Sequence, residues 1–238
     1  PYTTLFRSFQ TPLLPSQTIG KEAGCNLAFK AENFQRTGSF KIRGAASKMT
    51  SLAADQPVIT ASSGNHGIGA AMAASLIGQK LTVVLPEIVA PAKLARIRSY
   101  GIEVVLHGKE TGLAELHAQN MAAERGLVYV SPYNDPEIIA GQGTIALELL
   151  EQMPEVDNVF VAMGGGGLIS GIGSVLKSFR PNARIYGVSA RNSAALAAAM
   201  AAGRVVDVDH ADTLADAVAG GIDDDSITLP LASTVIDD

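Results

Sequence analysis

Short apolar runs rich in β-branched residues alternate along the chain with longer stretches whose apolar residues recur at helical spacing. The short runs predict strands at residues 26–30, 58–61, 81–85, 103–106, 128–130, 159–162 and 185–189. The longer stretches predict helices at residues 40–52, 65–77, 92–100, 112–125, 136–152, 168–179 and 194–202. Glycines at the ends of several helices, where a left-handed residue commonly stops a helix, are Gly78, Gly101, Gly126 and Gly203. This alternation predicts an α/β protein whose strands form parallel sheet covered by helices on both faces.

The number of sheets is left open by this pattern. Seven strands with intervening helices form either one sheet or two. If there are two lobes, the turns at 53–57 and 131–136 are the expected places where the chain passes between them.

Composition removes several classes of function. The chain has 238 residues, 47% of them hydrophobic and 17% charged, as expected for a well-packed domain. A net charge of −5 and scattered basic residues argue against nucleic-acid binding. The apolar runs are too short to cross a bilayer, and we expect no signal peptide in the stretch that opens this sequence. A single cysteine, Cys25, excludes an internal disulfide and predicts a cytoplasmic protein. Both ends of the chain are expected to be cut ends.

Lys41 is the first candidate for chemistry, because it stands between Phe40 and Ile42 at the predicted start of a helix, with Ser39 as the expected N-cap. Burial and the helix dipole both lower the pKa of a lysine in this setting. A lysine with a lowered pKa is a nucleophile towards an aldehyde. On this segment alone, a solvated surface lysine is the favoured alternative.

A turn of small polar residues follows the strand at 58–61 and opens the next helix. The free N–H groups of a first helical turn attract an anion, and the segment from Ser62 to His66 has room for a carboxylate. Asn65 adds a side chain that both donates and accepts hydrogen bonds. The alternative is an ordinary helix start, with Ser62 or Ser63 as its N-cap.

Four consecutive glycines, Gly164 to Gly167, lie between the strand at 159–162 and the following helix. Ordering them has a large entropic cost, which is best explained if several amides converge on a phosphate at the helix N-terminus. The spacing matches neither the dinucleotide fingerprint nor a Walker loop. The next strand ends at Ser189, with no acidic residue to hold a ribose. The pattern therefore favours a phosphate monoester.

An amine, a carboxylate turn and a phosphate turn together indicate pyridoxal phosphate and an amino acid. The chain resembles the fold-type II pyridoxal-phosphate enzymes, in the branch of serine/threonine dehydratases and serine racemases. The similar stretches, which cover most of the chain in the family's order, are 11–14, 38–45, 62–67, 139–144 and 164–167. The resemblance implies a tryptophan-synthase-β-like α/β fold of two lobes, each an open, mostly parallel sheet flanked by helices. The larger lobe would comprise residues 1–52 and 132–238, and the smaller 53–131.

The resemblance also implies a role for each candidate residue. Lys41 would form the Schiff base with pyridoxal 5'-phosphate, with Phe40 beside the ring and Asn65 bonded to its phenolic oxygen. The phosphate would be held by Gly164, Gly165, Gly166 and Gly167, and the substrate carboxylate by Ser62, Ser63, Gly64, Asn65 and His66. The implied activity is an ammonia-lyase that converts an L-threonine or L-serine type substrate to a 2-oxo acid and ammonia. Ile42, where related synthases usually have an acid, favours the dehydratases.

Three alternatives accompany this interpretation. The first is a racemase of the same fold. Relatives that racemise serine have a serine at the position of Ser63, and that serine carries a proton on the face opposite the lysine. The second is a truncated fragment that binds the cofactor without turnover, because relatives continue with elements that place a polar residue opposite the pyridine nitrogen. The third, an NADP-dependent reductase that uses Arg191, fits the glycine spacing poorly.

No metal site is predicted. His66, His107, His117 and His210 lack ligand spacing, and the acidic run at 223–225 is interpreted as a solvated loop. Metal-dependent relatives have a glutamate just after the strand that ends here at Ser189. The expected partner is a small amino-acid substrate, with neither nucleic acid nor membrane, and a homodimer is left open.

Overall fold

The computed structural model describes residues 9–238. The strands are β1 (Leu13–Pro15), β2 (Ala28–Lys30), β3 (Val58–Ala61), β4 (Leu81–Leu85), β5 (Glu103–Leu106), β6 (Val128–Tyr129), β7 (Asn158–Ala162) and β8 (Arg184–Val188). The α-helices are α1 (Gln17–Ala23), α2 (Lys41–Ser51), α3 (Asn65–Ile77), α4 (Pro91–Arg98), α5 (Thr111–Arg125), α6 (Pro136–Gln152), α7 (Gly167–Phe179), α8 (Ala195–Ala202) and α9 (Thr228–Val235). No helix within these residues is long and apolar enough to span a membrane.

The largest sheet is four-stranded and parallel, in the order β5–β4–β3–β6. Every residue of β3 and β4 is buried, because helices cover both faces. Ile59 and Val84 pack against α5 on one face, whereas Val58 and Val83 pack against α2, α3 and α4 on the other. The predicted parallel sheet with two covered faces is confirmed here.

Strands β7 and β8 form a second parallel sheet, which packs through Val161 and Ile185 against α6, α7 and α9. Strands β1 and β2 form a separate antiparallel ribbon. The strand predicted at 26–30 therefore exists, but as three residues of this ribbon. Its partner β1 was not predicted, because three residues are too few to show a period.

Helix α6 passes very close to both α2 and α7, and glycines make this possible. A Cβ on Gly141 of α6 would lie 2.5 Å from the carbonyl oxygen of Arg43 in α2. A Cβ on Gly171 of α7 would collide with the carbonyl oxygen of Ile139 in α6. The crossing fixes the first turn of α2, with Lys41, relative to the first turn of α7 with its glycines.

Most predicted helix ends lie within one or two residues of the observed ones. Gly78, Gly126 and Gly203 are confirmed as left-handed caps, with φ of 73°, 64° and 67°. Gly101 has φ of 73° but lies beyond Ser99, the cap of α4. Ser39 is not the N-cap of α2.

Phe40 holds that N-cap position in helical conformation, so the helix starts one residue later than predicted. Ser39 still accepts a hydrogen bond from the Lys41 amide, at 3.4 Å from its Oγ. The sequence analysis predicted neither α1 nor α9 as a helix. The lobe boundaries stay a prediction.

Candidate active site

One cavity of about 720 Å³ gathers all of the predicted site residues. Its lining includes Phe40, Lys41, Ser62, Ser63, Gly64, Asn65, His66, Gly164, Gly165, Gly166 and Gly167. These residues come from the N-terminal ends of α2, α3 and α7. The last two helices follow directly from β3 and β7, so the cavity lies at the carboxyl ends of parallel strands, where open α/β sheets bind ligands.

Lys41 is partly buried, and its amine is fixed by one contact. Its Nζ donates a hydrogen bond to the carbonyl oxygen of Pro132 at 2.7 Å and lies 5.3 Å from the Phe40 ring centroid. Burial lowers the pKa of Lys41 from 10.5 to about 8. Lys41 is therefore not a solvated surface lysine, and near neutral pH a useful fraction of it is the neutral amine that attacks a carbonyl.

This pKa predicts how cofactor capture depends on pH. Only the neutral amine reacts, so the rate at which the cofactor-free chain captures pyridoxal phosphate should rise with pH through about 8 and then level off. The rate is followed by absorbance. Lys93→Gln, at an exposed lysine that also lines the cavity, is the control and should show the same profile. A rise centred near the ordinary lysine pKa of 10.5 would contradict the burial of Lys41.

The turn at Ser62 to His66 is tighter than a standard helix start. Helix α3 begins at Asn65 with Gly64 as its N-cap, so neither serine is the cap. Ser62 Oγ accepts a hydrogen bond from the Gly64 amide at 3.2 Å. A Cβ on Gly67 would overlap the carbonyl oxygen of Ser62, which is why the turn needs glycine there. Both serines line the cavity beside the first turn of α3.

His66 is buried, with 3% of its surface exposed, and it is neutral. Its Nε2 lies 3.0 Å from the carbonyl oxygen of Val130, so Nε2 carries the proton and donates it there. Burial, and next the charge on Lys41, lower the pKa of His66 to about 3. The ring therefore brings no positive charge to a carboxylate, and what His66 offers an anion is its backbone N–H.

The tetraglycine turn opens a 13-residue helix, α7, and Gly166 in it has a φ of 88°. The backbone N–H groups from Gly164 to Leu168 donate no hydrogen bond to a backbone carbonyl in the turns, loops and helix caps of residues 9–238. Unused amides at a helix N-terminus are the arrangement that binds phosphate.

Packing also requires these glycines, which the sequence did not show. A Cβ on Gly165 would lie 2.6 Å from the ring of Tyr133, and one on Gly164 would lie 2.8 Å from the carbonyl oxygen of Val218. A Cβ on Gly166 would lie 2.9 Å from Thr228. The predicted phosphate binding would therefore be only one of two reasons for the run, and a substitution at Gly165 tests packing as well as anion binding.

Tyr133 is the main site residue that sequence reasoning missed. Its ring covers Gly165, and its Oη accepts a hydrogen bond from the Asp223 amide at 2.7 Å. Asp225 accepts a hydrogen bond from Asn134, so the acidic run at 223–225 is fastened to this segment rather than simply solvated. Thr228 Oγ1 donates to the Gly165 carbonyl at 2.7 Å. In each of these contacts the two residues are separated by between 63 and 91 positions in the sequence, so no local pattern predicts them.

Among residues 9–238, no three His, Cys, Asp or Glu residues cluster in a way that could hold a metal ion. The rings of His107 and His117 stack on each other, with 3.8 Å between centroids.

The cavity residues fit pyridoxal phosphate. Lys41 offers an amine of lowered pKa, the turn at 164–167 offers free amides, and Asn65 adds an amide side chain to the lining of the same cavity. Two buried polar atoms of lining residues, Oε1 of Gln142 and Nδ1 of His66, have no hydrogen-bond partner in the described part of the chain. A site with such atoms is suited to a polar ligand.

Comparison with known proteins gives the same picture. The chain is 43% identical to the L-threonine ammonia-lyase of Geobacter sulfurreducens over 213 residues and 40% identical to that of Thermotoga maritima. In each case the match covers 88% of this chain and 53% of the relative, so the chain spans about half the length of these relatives.

Solved structures match along the whole chain. The processed form of threonine deaminase isoform 2 from Solanum lycopersicum superposes with a TM-score of 0.93 at 34% identity. Maize serine racemase superposes with a TM-score of 0.92 at 33% identity. Both matches cover 100% of this chain, and 69% and 73% of those chains respectively. The family model described as pyridoxal-phosphate dependent enzyme matches residues 6–238, and the chain therefore belongs to that family.

Proposed function

We propose that this chain carries the catalytic machinery of a pyridoxal-phosphate-dependent ammonia-lyase. It would act on a β-hydroxy amino acid of the L-threonine or L-serine type and form a 2-oxo acid and ammonia. The observation that carries the proposal is the shared cavity, into which the Lys41 amine and the Gly164–Gly167 turn both open. Relatives named L-threonine ammonia-lyase support the substrate class.

In this proposal, the cofactor supplies an electron sink for the negative charge that develops at the substrate's α-carbon. The amides of Gly164 to Gly167 would hold its phosphate, while Asn65 would bond its phenolic oxygen and Phe40 would pack beside its ring. The turn from Ser62 to His66 binds the substrate carboxylate through backbone N–H groups. This binding orients the Cα–H bond towards Lys41, whose Nζ removes the α-proton. The nearby Pro132 carbonyl is available to hold the protonated amine.

The test is 2-oxo acid release by the cofactor-loaded chain from L-threonine, L-serine and 3-hydroxyaspartate. We expect release from at least one of the first two, together with ammonia in equal amount. Release of neither product from any of the three, while the cofactor is bound, would favour the alternative of a fragment that binds cofactor without turnover.

A racemase of the same fold is the second candidate, and Ser63 is the observation that favours it. Ser63 lines the same cavity as Lys41, and no side-chain cap bond at the start of α3 accounts for it. The superposition on maize serine racemase adds support. In this alternative, Ser63 carries a proton on the face of the substrate opposite Lys41.

Ser63→Ala separates the two candidates. For a lyase, Lys41 alone handles the α-proton, so the variant should keep most of its 2-oxo acid formation. For a racemase, the variant loses an acid, and interconversion of enantiomers should fall by a factor on the order of 100 or more. The paired measurement is 2-oxo acid release and solvent deuterium in the D-amino acid. Abundant deuterated D-product from the unsubstituted chain, absent from Ser63→Ala, would contradict the lyase assignment.

We also propose the two lobes defined above, because the four-stranded and two-stranded parallel sheets form separately along the chain. A cytoplasmic location is supported by the single free Cys25, which is exposed.

A further inference from the structure

Gln142 lies at the close helix crossing described above, yet it carries a polar amide. It is 1% exposed, and its Nε2 occupies the space where a Cβ on Gly44 of α2 would lie. On its other side, its Cβ lies 3.2 Å from the position of a Cβ on Gly171 of α7. Close approach of the helices explains Gly141 and Gly143 in the segment 139–144. It does not explain a glutamine, because an apolar side chain of that size would pack there equally well.

The amide of Gln142 is incompletely satisfied by the protein. Its Oε1 has no hydrogen-bond partner among residues 9–238. A buried amide without its partners is less favourable than an apolar group of the same shape, so such groups are rare unless something else satisfies them. Gln142 also lines the cavity that contains Lys41 and the tetraglycine turn.

Gln79 provides an internal comparison, because its Oε1 is also buried without a partner. Its Nε2, however, donates to the carbonyl oxygens of Ala53 at 3.2 Å and Gln56 at 2.7 Å. Backbone contacts therefore account for Gln79, which does not line the cavity. No such contact of the amide is found for Gln142 in the described part of the chain.

We infer that Gln142 is a further cofactor-binding residue, whose amide forms a hydrogen bond with pyridoxal phosphate in this cavity. The inference depends on the cofactor of the family and not on the reaction proposed above. It explains why a polar side chain is retained at a position that packing alone would give to an apolar one.

The test compares Gln142→Met with Gln79→Met. Methionine matches the size of glutamine without its amide, so Gln142→Met should raise the dissociation constant for pyridoxal phosphate about tenfold, or about 1.4 kcal/mol. The melting temperature of the cofactor-free protein should stay the same or rise, because an unsatisfied amide is removed. Gln79→Met should do the opposite, lowering the melting temperature and leaving cofactor affinity unchanged. Absorbance titration and circular dichroism measure the two quantities.

Each outcome decides the inference. Gln142→Met protein that binds the cofactor as tightly as the unsubstituted chain would overturn it, whatever the melting temperature does. If Gln142→Met does not fold, Gln142→Asn replaces it, since asparagine keeps the amide but withdraws it by one methylene. Weaker cofactor binding by Gln142→Asn supports the contact, and unchanged binding overturns it.

Discussion

Lys41→Ala protein, cleared of free cofactor, is expected to lose the yellow absorbance of bound pyridoxal phosphate and every adduct that borohydride can reduce. The reason lies in the setting of Lys41. It combines a partly buried amine, a pKa lowered by burial to about 8, and a place in the cavity that the tetraglycine turn also lines. Any 2-oxo acid formation should disappear with the adduct, because in the proposed mechanism the same amine removes the α-proton.

The control for this experiment is Lys93→Ala. Lys93 lines the same cavity but is exposed on α4. The Lys93→Ala protein should keep both the yellow absorbance band and the adduct that borohydride reduces. Mass spectrometry of the reduced and digested protein locates the adduct directly. An adduct on Lys93 or any other lysine of the Lys41→Ala protein would show that the central assignment is wrong.

The sequence predicted the central sheet well because its signals are local. Strands β3 and β4 are continuous apolar runs, and Gly78 closes the helix between them with a φ of 73°. Such runs are typical of parallel strands buried on both faces, and the observed bounds of β3, β4 and β5 are the predicted ones. The β1–β2 ribbon was missed because its pairing depends on contacts between segments that are too short to show a period.

The candidate site, too, was predicted where its sequence signals are local and missed where they depend on contacts between distant segments. Its three predicted segments are each a strand-to-helix turn or a helix start with an unusual local sequence, and the structure brings them to one cavity. Tyr133 and Gln142 were not predicted as site residues. Tyr133 belongs to the site because its ring covers Gly165. Gln142 reaches the cavity because glycines in α2 and α7, Gly44 and Gly171, leave room for its side chain. Contacts of this kind depend on how helices cross, and the sequence pattern carries no information about the crossing.

Glu148→Gln is expected to lower the free energy of unfolding by about 3 kcal/mol, because it removes the carboxylate charge that two largely buried cations share. Glu148 binds Arg43 through both oxygens, at 2.6 Å from Nη1 and 2.9 Å from Nη2, and it also pairs with Lys30. Arg43 is 5% exposed, two residues after Lys41, and its other partner is Glu32. The cluster therefore fixes the first turn of α2, and urea unfolding of the cofactor-free protein measures its contribution.

The control is Glu151→Gln, at an exposed carboxylate one turn further along α6, which should change the stability by less than about 0.5 kcal/mol. Dependence on pH gives a second check. Burial alone would raise the pKa of Glu148, but hydrogen bonds from Arg43 and Lys30 outweigh it and hold that pKa below its usual value. A carboxylate with a lowered pKa stabilises the folded state at neutral pH and loses that effect as the pH falls through its folded-state pKa. The stability difference between unsubstituted and Glu148→Gln protein should therefore shrink in acid. A difference at neutral pH no larger than that of Glu151→Gln would show that the cluster does not stabilise this helix start.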